Sequence, residues 1–147
     1  MSRNVDVLLV EDNDDHIFLT KKALERFEDD AHLTVHVVKD GVQAIDFVNK
    51  NAPHENAPTP DLILLDIKLP NKNGFEVLAG IKGDERHRRI PVVMLTSSDA
   101  DVDIEQSYGL GSNSYISKPI KTDELFKKLR DSPNYWIKIN ALPPKTA

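Results

Sequence analysis

Glu11 and Asp12 follow the apolar run Val5 to Val10, Asp66 follows Leu62 to Leu65, Thr96 follows Val92 to Leu95, and Lys118 stands shortly after Tyr115-Ile116. Three carboxylates brought within a few ångströms repel one another, and desolvation sharpens the repulsion, so a cation must join them. An all-oxygen donor set with few protein ligands suits magnesium, which keeps several waters and shares the remaining positions between carboxylates and a phosphate. A carboxylate can itself attack phosphorus to give an aspartyl phosphate, while a metal, a lysine and a hydroxyl spread the charge on the transferring group. The residue types thus point to magnesium-dependent phosphoryl transfer onto a carboxylate of the protein itself.

That chemistry requires elements that deliver all five residues to one place. The apolar runs Val5 to Val10, Leu33 to Val38, Leu62 to Leu65, Val92 to Leu95 and the weaker Tyr115-Ile116 read as strands. The first, third and fourth are almost unbroken in Val, Ile and Leu, as in central strands covered on both faces. Leu33, Val35 and Val37 alternate with polar neighbours, which predicts an edge strand. Helical spacing fills the intervals: Ile17, Leu24 and Phe27; Ile45 and Val48; Phe75, Leu78 and Ile81; Ile104 and Tyr108; Leu125 and Leu129. This alternation predicts an α/β fold, a doubly wound parallel sheet with helices on both faces. Ligands bind beyond the carboxyl ends of strands in such folds, where the chemistry-bearing residues stand.

Asp40-Gly41 and Asn73-Gly74 read as turns, and Ser98 three residues before Asp101 reads as a capping box for the fourth helix. The proline-rich segment Asn51 to Pro60 reads as an extended loop. Pro133 interrupts the last helical pattern, which Trp136 and Ile139 resume, so a kinked or restarted helix is expected there. The reading gives one domain over residues 1–142 and a flexible tail over 143–147.

The composition narrows the classes. A chain of 147 residues suits one domain. With no cysteine, disulfide and thiolate chemistry are excluded, and a cytoplasmic location is expected. The first apolar run is too short for a signal peptide or a bilayer span. A net charge of -5, with basic and acidic residues mixed, offers no stripe for a nucleic-acid backbone, so neither nucleic acid nor membrane is expected as a partner.

Taken together, Val10-Glu11-Asp12, Asp40-Gly41, Leu64-Leu65-Asp66 with Pro70 and Gly74, Ile90-Pro91, Leu95-Thr96-Ser97, and Gly111 through Tyr115 to Lys118-Pro119 resemble the receiver domains of two-component response regulators, in the family's order and over nearly the whole chain. The Gly111-Ser112-Asn113 stretch departs slightly from the family's small-residue pattern. The resemblance implies a chemotaxis-regulator-like, flavodoxin-like (βα)5 fold with strand order 2-1-3-4-5. It implies Asp66 as phosphoacceptor, Asp12 as a direct magnesium ligand, Glu11 as a second acidic contact through water, and the Lys68 carbonyl as a further ligand. Lys118 and Thr96 would bind phosphoryl oxygens, Ser97 and Pro119 would support them, and Tyr115 would be the switch aromatic. A cis bond between Lys118 and Pro119 is also implied. The implied partners are a sensor histidine kinase or histidine phosphotransfer protein, and a downstream protein read by the face of the fourth helix, fifth strand and fifth helix. The loop before the third strand and the end containing Tyr135-Trp136-Ile137 are similar to stand-alone regulators paired with phytochrome-like or other sensor kinases. That aromatic end would pack on its own domain or help form a homodimer.

Each residue has a plainer reading when taken singly. Glu11-Asp12 would be a helix cap with a solvated neighbour, Asp66 a turn residue, Thr96 a turn hydroxyl, Lys118 a surface cation and Tyr115 a half-buried strand aromatic. Their joint occurrence favours the site. His16, His32, His36, His54 and His87 show no spacing that converges on one ion, and Lys82 to Arg89 reads as a solvated connection. Lys68, two residues past Asp66, would lie over a phosphoryl group and shield it from water. Other classes fit less well. A flavin carrier needs a phosphate-cradling loop where this chain has Glu11-Asp12-Asn13-Asp14-Asp15. A dehalogenase-like phosphatase places an acid where this chain has Lys68. The expectation is therefore a phosphoacceptor instead of an enzyme with a separate substrate; the alternative is a docking module that needs no phosphorylation.

Overall fold

The computed structural model describes residues 4–25, 32–97 and 100–118. Strands and helices alternate through them: β1 (Asn4–Val10), α1 (Asp14–Leu24), β2 (His32–Val38), α2 (Gly41–Asn49), β3 (Leu62–Leu65), α3 (Gly74–Lys82), β4 (Val92–Thr96), α4 (Asp101–Gly109) and β5 (Ser114–Ser117). The strands form one sheet in the order β2-β1-β3-β4-β5, and every neighbouring pair is parallel. This is the expected flavodoxin-like order. The expected helix from Leu125, the break at Pro133, the Tyr135-Trp136-Ile137 end, the 143–147 tail, Ser98, and Pro119 with its peptide bond lie outside the described residues.

The unbroken apolar strands follow from two cores, one on each face of the sheet. Val5, Val7 and Leu9 join Leu62, Leu64, Val93, Leu95 and Ile116 beneath Ile17 and Leu24 of α1. The intervening Leu8 and Val10 turn the other way and join Ile63, Leu65, Val92 and Met94 against Phe47, Val77, Leu78 and Ile81 of α2 and α3. Side chains alternate across a strand, so a strand buried on both faces must be apolar at every position. Truncating one of these side chains, as in Leu64→Ala, costs about 2–5 kcal/mol in a core that cannot collapse. At the edge, β2 buries Leu33 and Val38 and leaves Val35 and Val37 partly covered, which accounts for its alternation.

Helix starts differ from the sequence reading in an instructive way. Asp40-Gly41 and Asn73-Gly74 are helix beginnings. The Asp40 carboxylate accepts from Gln43 N at 2.7 Å, and Asn73 and Glu76 cap each other reciprocally at 3.0 and 3.2 Å. Glycine follows each cap because backbone passes directly over it. A Cβ on Gly41 would overlap the Lys72 carbonyl, and one on Gly74 would overlap the Asp66 carbonyl. The fourth helix begins at Asp101 with Ala100 as its cap and no side-chain capping bond. Asp101 is thus the first helical residue instead of the third. Tyr108, expected inward, is 48% exposed. The inward position belongs to its small neighbour Ser107, whose hydroxyl donates to the Asp103 carbonyl at 2.8 Å.

Candidate functional site

The parallel ladder runs one residue past the strand ends and thereby fixes the backbone of the site. Glu11 N donates to Val38 O at 3.0 Å, Asp66 N to Val10 O at 3.1 Å, and Lys118 N to Thr96 O at 2.8 Å. Residues separated widely in sequence are held on one edge of the sheet by the same bonds that hold the sheet together. Asp66 then turns into a loop closed by Gly74 N donating to Ile67 O at 2.8 Å. That loop is braced from the side by Gly41 N to Pro70 O at 3.3 Å, and Asn71 takes a left-handed φ of 68° within it. Asparagine tolerates that conformation better than most residues.

Glu11, Asp12 and Asp66 come together, each offering a carboxylate oxygen within 4.8 Å of the others. Glu11 is 1% exposed and Asp66 7%, whereas Asp12 is exposed to solvent. The Lys118 ammonium lies between the two buried carboxylates, donating to Glu11 Oε1 and, at 3.0 Å, to Asp66 Oδ2. The other Asp66 oxygen accepts from Ile67 N at 2.7 Å, and the second Glu11 oxygen accepts from Asn13 N at 3.2 Å. Burial raises the Glu11 pKa above its ordinary 4.5; the Lys118 bond pulls it back, and the Asp66 charge adds to the rise. A pocket with three carboxylates and one buried cation retains net negative charge, which suits a divalent ion bound through oxygen.

Thr96 is fully buried at the end of β4, with Ser97 exposed beside it. Tyr115 pairs with Met94 in the neighbouring strand and is 4% exposed. Lys68 is exposed on the loop after Asp66. The sequence reading missed His16. Its Nδ1 lies 3.0 Å from Lys118 Nζ and 3.6 Å from Glu11 Oε1. The signal was present in local form: Asn13 caps α1 by accepting from His16 N at 3.0 Å, and the third residue of a helix beginning at the site carboxylates sits back beside them. His36 and His54 are bonded to Asp6 and Gln43, in keeping with satisfied structural roles, and His87 Nε2 is bonded to Asn49. Among the described residues no helix is long and apolar enough to cross a membrane.

An acidic, lysine-bearing pocket at the carboxyl edge of a 2-1-3-4-5 parallel sheet defines a receiver-type protein, and comparison with known proteins agrees. The model of the response regulator receiver domain matches residues 7–130, and the chain belongs to that family. It is 39% identical over 137 residues to the response regulator Rcp1 of Synechocystis sp., covering 93% of this chain and 92% of that protein. The crystal structure of the manganese-bound form of Rcp1 is similar at a TM-score of 0.80 and 36% identity, over 95% of this chain and 99% of that one. The phosphorylated cyanobacterial phytochrome response regulator RcpA matches at a TM-score of 0.80 and 39% identity, over 96% and 99%.

Proposed function

We propose that this domain is a phosphorylation-controlled switch in which Asp66 accepts a phosphoryl group from a histidine of a sensor kinase or histidine phosphotransfer protein. An Asp66 carboxylate oxygen forms a bond to phosphorus while the phosphorus–nitrogen bond of the donor breaks, and the imidazole leaves with the electron pair and takes up a proton. The supporting observation is the convergence of Glu11, Asp12 and Asp66 within 4.8 Å beside the buried Lys118. Asp12 and Asp66 directly, Glu11 through water, and the Lys68 carbonyl would hold magnesium, which supplies a fixed positive charge beside the transferring group. Lys118 turns from the carboxylate to a phosphoryl oxygen, and the Thr96 hydroxyl donates to another, with Ser97 and Pro119 supporting the two.

The switch follows from differential contact, because a ligand moves an equilibrium only by the difference in its affinity for the two states. Movement of Thr96 toward the phosphoryl group changes the packing of Tyr115, which lies two register positions from it on β5, opposite Met94. Tyr115 is already buried, so the readout is a repacking of an inward ring instead of an outside-to-inside swing. Taking the active form from rare to dominant requires on the order of 5 kcal/mol, the sum of a few charge-assisted contacts. The altered face of α4 and β5, with the helix expected after it, binds a downstream protein. The likeness to RcpA favours a phytochrome-like kinase as donor. The domain acts on its own carboxylate, in a cytoplasmic setting.

Intact-mass spectrometry after incubation with acetyl phosphate and magnesium tests this reading. One phosphoryl mass on the wild type and none on Asp66→Asn is expected. No adduct, and no magnesium-dependent binding of beryllofluoride, would support a docking module that needs no phosphorylation. Equal modification of both proteins would place the acceptor elsewhere.

A further inference from the structure

We infer that His16 is a positioning residue for Lys118, and through it for phosphoryl transfer at Asp66; the inference rests on Asp66 being the acceptor. A lysine ammonium has three N–H donors on a flexible four-carbon stem and no preferred direction of its own. In this site each donor has an acceptor: Glu11 Oε1, Asp66 Oδ2 at 3.0 Å and His16 Nδ1 at 3.0 Å. Because the ammonium can only donate, this contact requires the tautomer in which Nδ1 accepts and Nε2 carries the proton.

His16 is not in this place to fill the core. Its side chain is 38% exposed, while that of Lys118 is 7% exposed. The first turn of α1 holds its backbone through the Asn13 cap, and Asn13 N in turn donates to Glu11, the residue after β1. When Asp66 carries a phosphoryl group, one carboxylate oxygen becomes the bridging oxygen of a mixed anhydride and a poorer acceptor. Glu11 and His16 keep two of the three N–H bonds, and a single N–H remains to point at the phosphoryl oxygen. Catalytic charge stabilisation depends on such orientation being set before the reaction.

The geometry supplies its own control. Asparagine carries Oδ1 on Cγ, the same attachment that bears Nδ1 in histidine, whereas leucine places a methyl there and alanine nothing. Phosphorylation of wild type, His16→Asn, His16→Leu, His16→Ala and Asp66→Asn is followed by intact mass across a range of acetyl phosphate concentrations in saturating magnesium. Thermal midpoints are recorded in parallel. His16→Leu and His16→Ala are expected to lower the maximal rate about fivefold, the scale of one charge-assisted bond partly replaced by water, and to leave half-saturation unchanged. His16→Asn should restore most of the rate. A wild-type rate in both His16→Leu and His16→Ala, or an Asn variant as slow as these two, would overturn the inference and leave Asp66 as acceptor. Phosphoryl uptake by Asp66→Asn would instead overturn the reading beneath it.

Discussion

Lys118 donates to Asp66 at 3.0 Å across 52 positions of sequence, and the same ammonium donates to Glu11. It therefore acts as the internal counter-ion of the carboxylates that a metal would otherwise have to neutralise alone. Replacing it with methionine is expected to tighten magnesium binding about fivefold, since a partly screened charge a few ångströms away is worth about 1 kcal/mol. The same replacement should slow phosphoryl uptake. Calorimetric titration and intact mass, run on one preparation, check both directions; weaker magnesium binding would contradict the counter-ion role.

Lys68 stands exposed on the loop leaving Asp66, in reach of solvent that must attack an aspartyl phosphate. Lys68→Ala is expected to shorten the phosphoryl lifetime about two- to fivefold, as loss of a flexible, partly shielding side chain costs less than 1 kcal/mol. Decay of the phosphoryl mass after removal of the donor reads this directly. A longer lifetime in the alanine variant would show that Lys68 assists hydrolysis instead.

His87 links α2 to the loop before β4. Its Nε2 lies 3.0 Å from Asn49 Oδ1, and Nδ1 is buried with no partner. Burial lowers its pKa below 6.5; the Asp84 carboxylate and the Arg86 backbone oppose that shift, while the Arg86 and Lys50 charges add to it. The unfolded chain therefore binds the proton more readily than the folded one. The resulting stability is complete above about pH 6.5 and is lost as the pH falls from there through the folded-state value. Urea midpoints between about pH 5 and pH 8 should fall on the acid side in wild type, and less steeply in His87→Leu.

Gly41 lies under the Lys72 carbonyl, and Gly41 N donates to Pro70 in the same loop. Gly41→Ala forces backbone against backbone and is expected to destabilise the fold by about 2–3 kcal/mol despite the better helix propensity of alanine. Because that loop carries Lys68, magnesium affinity should fall with stability. An alanine variant as stable as wild type would show that the loop yields freely.

The sequence by itself settled the features that follow from local pattern. Leu8 and Leu9 point to opposite faces, so the unbroken run Val5 to Val10 already required helices on both sides of β1. The alternation in β2 likewise announced an edge. The carboxylates, hydroxyl and lysine were legible because a parallel sheet delivers every strand to the same edge, and the residue after each strand end is placed by a ladder bond independent of its side chain. Tertiary packing decided the rest. Nothing local marks Gly41 and Gly74 as crossings of backbone, since the atoms they make room for come from another segment in one case and from the preceding strand end in the other. Ser107, and not Tyr108, faces inward. His16 meets Lys118 across 102 positions. Periodicity reports whether a residue is buried, but which polar atoms meet depends on how α1 leaves β1 and where β5 closes the sheet, and those relations exist only in the folded chain.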